Sequence, residues 1–353
     1  MDDDAQTKRL VETEVSSGNV SWEEFVWTGS SHLVLPALYS AFSRNGLLPL
    51  LPADLVDHLS AIYNINLHRN RQIIEQSHEL IRLLNNEGIE PVFLKGVGHL
   101  LQNLYHDPGD RIMSDIDILI PEEDIQKAAN ALYYAGYFHP EEFKDDDFEN
   151  HHHLPGFEHK SYIAMVELHH SVFPVNYLNI LSNTEIYSDR KKTEGFNAWV
   201  LSTDHQMVLN FVHDELVDDG FRYKTMVIKG LYDFYLLSKL NQQENTRFSV
   251  KGYTMRFNTY CSFVSAIFNH SQSIYFIENF STKRFKKQFD YLLNHPKYSR
   301  LHQIIVTYNL RLFIILKTFI TAPFSKQSRR YINKKTGNFS ALKRYFKKLK
   351  EEF

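Results

Sequence analysis

Two aspartates one residue apart, Asp115 and Asp117, sit in the run Ser114-Asp115-Ile116-Asp117-Ile118-Leu119-Ile120. In an extended chain alternate side chains share a face, so both carboxylates point one way while Ile116, Ile118 and Ile120 point the other. Carboxylates held together on an apolar strand repel one another and are costly to desolvate. A divalent cation removes that cost. Magnesium suits this donor set, because it is usually held by one or two carboxylates together with substrate phosphates. A second ion nearby would stabilise both the attacking and the leaving oxygen of an in-line displacement. The alternative is an edge strand whose outer face happens to be acidic.

The neighbouring residues favour phosphate chemistry. Lys95-Gly96 ends the run Ile89-Glu90-Pro91-Val92-Phe93-Leu94 and opens a short helix. A glycine there lets backbone N–H groups approach closely, and a helix N-terminus favours phosphate. Arg111 and Ser114 flank the acidic pair and are suited to phosphate oxygens. A third carboxylate is available in Met165-Val166-Glu167-Leu168-His169, where Glu167 and His169 share one face. An adjacent strand would bring Glu167 beside Asp115 and Asp117; otherwise Glu167 is an outward-facing residue on an amphipathic strand. The run His151-His152-His153, with His159, His169 and His170 nearby, lacks metal-ligand spacing and reads as a solvated loop. His213-Asp214 reads as helix packing or as a contact to the cleft, and Cys261 as a buried small hydrophobe.

These residues need a sheet, and the hydrophobic pattern supplies one between helices. Residues 21–44 are helical in period, with Ser21 as N-cap and Pro36 as a point of kinking or splitting. One long pattern follows over 52–87, with Leu55, Leu59, Ile62, Ile73, Leu80 and Leu84 at helical spacing. At residue 89 the period changes. Strands are expected at 89–94, across Asp115–Ile120, and near 156–160 and 162–171, with helices after Gly96 and after Pro121. From 176 onward the chain reads as mostly helical, with Ser202 or Thr203 as a cap and further helices over 225–240 and 301–320. The fold class expected is α+β: a small mixed β-sheet core flanked by N-terminal and C-terminal helical regions. The regions are 1–88 (helical), 89–175 (core), 176–280 (helical) and 281–353 (basic and helical).

Composition excludes several classes. Of 353 residues, 43% are hydrophobic and 23% charged, which is an ordinary globular balance. A single cysteine rules out an internal disulfide and any Cys-based zinc cluster. The start, MDDDAQTKRL, lacks a basic and then apolar leader, and no uninterrupted run of 18 apolar residues occurs. No transmembrane segment and a cytoplasmic location are therefore expected. The net charge of −3 is unevenly distributed: residues 281–353 carry 18 Lys or Arg and 3 Asp or Glu. That excess suggests an anionic partner, RNA or an anionic membrane surface, at the basic C-terminal region. A solvated helical tail balancing an acidic body is the plainer alternative.

The run FLKGVGHLLQNLYHDPGDRIMSDIDILIPEEDIQKAANALYYAGY resembles the core of the polymerase-beta-like nucleotidyltransferase superfamily. More narrowly it is similar to a bacterial branch of uncharacterised nucleotidyltransferases. In that branch an L-K-G turn replaces the usual Gly-Ser turn and an R-x-x-x-D-h-D-h strand follows. The later V-E-L-H strand matches the place of the superfamily's third carboxylate, and the segment GLYDFYLL around Asp233 also fits. The resemblance spans roughly residues 20–330, with its specific motifs in 93–171. It implies that Asp115, Asp117 and Glu167 hold two magnesium ions and are catalytic. The triphosphate of an NTP would lie over Lys95 and Gly96, with Arg111 and Ser114 as further nucleotide-binding residues. An acceptor hydroxyl would attack the α-phosphorus and release pyrophosphate. The acceptor could be a small molecule, sugar, protein or RNA. A toxin-like transferase acting on tRNA and a non-catalytic nucleotide-binding protein that keeps the fold are the alternatives.

Overall fold

The computed structural model describes residues 5–140, 151–240, 250–268, 274–324 and 329. The chain divides into two compact units, Met1–Phe221 with Met226–Lys286, and Arg222–Thr225 with Lys287–Phe353.

In the first unit, α1 (Ala5–Ser16), α2 (Trp22–Ser31) and α3 (Leu35–Arg44) precede the long α4 (Ala53–Asn86). The pattern over 21–44 is split in two. Leu33 takes a left-handed backbone (φ 58°) and Pro36 lies in the first turn of α3, where its missing N–H costs nothing. Leu35, Phe42, Leu47, Leu51, Leu55 and Leu59 form one buried cluster that fastens α3 to the start of α4.

The sheet is mixed and has five strands among the described residues. They are β1 (Val92–Phe93), β2 (Asp115–Leu119), β3 (Met165–His169), β4 (Lys191–Lys192) and β5 (Trp199–Val200), in the order β3-β2-β1-β5-β4. α5 (Lys95–Leu101) links β1 to β2, and α6 (Ile125–Tyr134) follows β2. β2 runs antiparallel to β1 and parallel to β3, while β1 and β5 are parallel. Ile116, Ile118, Val166 and Leu168 are fully buried, as their alternation requires.

Three features differ from the sequence reading. The segment near 156–160 is not a strand; Phe157 meets Val166 through an isolated antiparallel bridge. β3 starts only at Met165, because the side-chain amide of Gln76 on α4 engages both backbone polar groups of Ala164 (2.9 and 3.1 Å). The sheet also continues past residue 175, through β4 and β5. Each has two residues, too few to show an alternation.

Helices α7 (Asn183–Asp189), α8 (Thr203–Phe211), α9 (Gly220–Tyr223), α10 (Ile228–Leu240), α11 (Thr254–Phe268) and α12 (Phe280–Leu293) follow, with α8 capped by Ser202. Phe211, Phe234, Phe257 and Tyr260 pack edge to face between α8, α10 and α11. Cys261 is buried beside them. The second unit contains α13 (Pro296–Thr321). Of the basic residues over 326–350, only Arg329 is among the described residues.

Candidate active site

The register of β2 and β3 builds the site. Asp117 is paired with Glu167 and Leu119 with His169, so Asp117 and Glu167 share a face of adjacent strands. Ligand atoms of Asp117, Glu167 and His169 lie within 4.8 Å of one another. Asp115, two residues earlier, stands outside this group and opens toward the cleft. The two carboxylates and the imidazole of this group fit a divalent cation, which would offset the repulsion between the carboxylates.

Lys95 completes this cluster from the other side. The chain leaves β1 and enters α5 through Lys95, whose φ of 45° is left-handed. That conformation is uncommon for a residue with a side chain. It brings Lys95 Nζ to 2.7 Å from Asp117 Oδ1. The same oxygen accepts a hydrogen bond from His169 Nε2 at 2.8 Å, and His169 Nε2 also lies 3.5 Å from Glu167 Oε2. Burial opposes ionisation of Asp117, but the Lys95 ammonium and the His169 imidazole outweigh it and hold the carboxyl well below the usual range. Burial together with the charge of Asp117 pushes Asp115 up. Burial lowers the proton affinity of His169, yet its two carboxylate partners leave the net shift upward.

The turn also has a packing role that its sequence does not show. Gly96 is buried, and a Cβ there would collide with the Arg111 guanidinium and come to 3.0 Å from the Met113 sulfur. Its missing side chain therefore makes room for Arg111. Arg111, expected to bind phosphate, is itself buried and gives Nε and Nη2 to the carboxylate of Asp233 on α10 (3.1 and 2.8 Å). Tyr105 donates its hydroxyl to the same carboxylate. These donors tie the approach to β2 to a helix 122 residues away. Ser114 is exposed at the cleft beside Asp115.

α4 holds both acidic strands. Asn66 and Asn70, one turn apart on its buried face, donate to the backbone carbonyls of Pro108, Gly109 and Arg111 (2.5–3.1 Å). Gln76 fixes the residue before β3, as described above. Each amide satisfies buried backbone groups that have no place in the sheet ladder.

The cleft has a volume of about 330 Å³. Lys95, Gly96, Arg111, Ser114 and Asp115 line one side, and Asn210, His213, Asp214, Asp218 and Lys229 another. The second wall carries no sequence motif apart from His213-Asp214, which the sequence reads as helix packing or a contact to the cleft and which lines it. A π-helical turn over Val212–Val217 follows α8, a geometry frequent at functional sites, and His213 and Asp214 lie in it. Gly230 allows α10 to approach Asp214, whose carboxylate a Cβ would strike. Hydrogen bonds to Asp214 and Asp218 push His213 up to about 9. Burial, with Arg111 nearby, pushes Lys229 down to about 8.

The histidine run does not behave as a free loop. His152 and His153 are partly buried, with rings 5.1 and 5.0 Å from that of His169, and His153 Nδ1 lies 4.0 Å from Glu167 Oε2. Consecutive histidines gave no spacing signal, because a bend and not a regular element places them.

Carboxylates in register on adjacent strands of a small mixed sheet, beside a strand-to-helix turn that carries a lysine, define a nucleotidyltransferase core. The chain belongs to the uncharacterised nucleotidyltransferase family, which it matches over residues 18–251. The match takes in α2 to α10 and all five strands. No curated protein matches the chain.

Proposed function

We propose that the protein transfers a nucleoside monophosphate from an NTP to an acceptor hydroxyl with the help of magnesium, most simply two ions. Family membership supports nucleotidyl transfer in general. The pairing of Asp117 with Glu167 across β2 and β3, beside Lys95, carries the metal-dependent reading. Asp115, Asp117 and Glu167 would hold the metal, which neutralises the triphosphate and polarises the reacting phosphoryl group when bound. Lys95 and Lys229 face the cleft as cations for the phosphate chain, with Ser114 at its edge. The oxygen of the acceptor forms a bond to the α-phosphorus, the bond to the β-phosphate oxygen breaks, and pyrophosphate and a proton leave.

The test incubates the protein with each labelled NTP and magnesium against pools of cell RNA, lipids and small molecules. Asp117→Asn keeps the volume and removes the charge. Transfer of label that falls by about 100-fold or more in this variant supports the reading. NTP binding without transfer to any pool would favour a non-catalytic nucleotide-binding protein. Label on tRNA would favour the toxin-like transferase.

A further inference from the structure

α13 is 26 residues long, and none of its residues is buried. At about 100° per residue, Leu301, Ile305, Leu312, Leu316 and Phe319 fall within about 60° of one another. Arg300, Thr307, Arg311 and Thr318 fall within about 40° on a face turned about 120° away. The apolar stripe is 50–59% exposed at every one of its five positions. A stripe of that length facing water marks an interaction surface.

The charge of the chain around the stripe indicates what covers it. Residues 291–350 contain 14 Lys or Arg and no Asp or Glu. A protein surface or a second copy of this same basic segment would have to bring a compensating acidic face. An anionic bilayer supplies both an apolar interior and negative headgroups. By length and composition α13 could cross a membrane. Crossing would draw the charge of Arg311, near its centre, into hydrocarbon, whereas lying in the plane leaves Arg300 and Lys317 within reach of headgroups.

We propose that α13 attaches this protein to an anionic lipid bilayer. α13 lies in the interfacial plane with its Leu301–Phe319 stripe among the acyl chains. The attachment does not rest on the nucleotidyl-transfer reading and stands or falls without it.

The test is co-sedimentation of the full-length protein with vesicles of phosphatidylcholine alone or with about a third phosphatidylglycerol. Binding to the anionic vesicles is expected to be at least about tenfold tighter and to weaken as salt rises. The triple variant Ile305→Ser, Leu312→Ser, Leu316→Ser should lose about tenfold in binding, with its helical circular dichroism unchanged. Replacing Lys343, Arg344, Lys347 and Lys348 by Gln should weaken binding and flatten its salt dependence. The proposal is overturned if the wild-type protein ignores anionic vesicles, or if the triple Ser variant binds as the wild type does. It is also overturned if the protein resists alkaline extraction from membranes as a spanning helix does, or if the stripe mediates a dimer that the triple variant abolishes.

Discussion

Lys95 Nζ and His169 Nε2 converge on the same oxygen of Asp117, at 2.7 and 2.8 Å. The carboxylate at the centre of the acidic cluster is thus already paired with the Lys95 ammonium and hydrogen-bonded by the His169 imidazole. A metal ion must compete with Lys95 for that oxygen, and a bound triphosphate offers the ammonium another anionic partner. Lys95→Met should therefore bind Mn²⁺ more tightly than the wild type when nucleotide is absent, and bind NTP about tenfold or more weakly. Manganese titration followed by electron paramagnetic resonance, with and without nucleotide, checks both signs. Unchanged metal affinity would mean that Lys95 does not guard the site.

The Arg111–Asp233 pair is buried on both sides, with 8% and 3% of the side chains exposed. Removing one partner leaves an uncompensated charge in the interior. Arg111→Met should cost about 3–5 kcal/mol of stability in denaturant unfolding. The double variant Arg111→Met with Asp233→Leu should recover much of that loss. A stable Arg111→Met with impaired NTP binding would instead restore the phosphate-binding role expected from sequence.

Gln76 replaces two ladder hydrogen bonds at the start of β3. Gln76→Leu keeps much of the volume but leaves the N–H and C=O of Ala164 unsatisfied in the interior. A loss of about 2–4 kcal/mol is expected. Amide hydrogen exchange should show faster opening of β3 than of α4.

His213 provides a pH signature. Its proton affinity is raised to about 9 by Asp214 and Asp218. A group whose folded pKa is raised stabilises the protein fully below its unfolded pKa, and that stabilisation is lost as pH rises through the folded value. The decline should therefore run from about pH 6.5 to about pH 9. Its size should be on the order of 1 kcal/mol, because 44% of the side chain is exposed and the solvent screens it. Unfolding midpoints of the wild type and His213→Gln should converge above that range. A constant difference across the range would refute the assignment.

The alternation of Asp115 and Asp117 with Ile116 and Ile118, and of Glu167 with Val166 and Leu168, was legible in the sequence because a strand's period is local. So were the span of α4 and a cap of α8 at Ser202 or Thr203, which the structure gives to Ser202; both depend on neighbours within a few residues. The α+β class followed from the change of period near residue 89. Only the tertiary structure decided how Arg111 is used. Its partner Asp233 lies 122 residues away, and spacing along the chain carries no information about which buried charge a guanidinium meets. The same holds for Lys229 and Asp218, placed in the cleft wall by α10 and by the residues after the π-helical turn. Gly96 has the expected residue type and also a packing role that spacing does not show, since its empty side is filled by Arg111. Local periodicity sets which way a side chain faces; long-range packing and the need to neutralise buried charge set what it meets there.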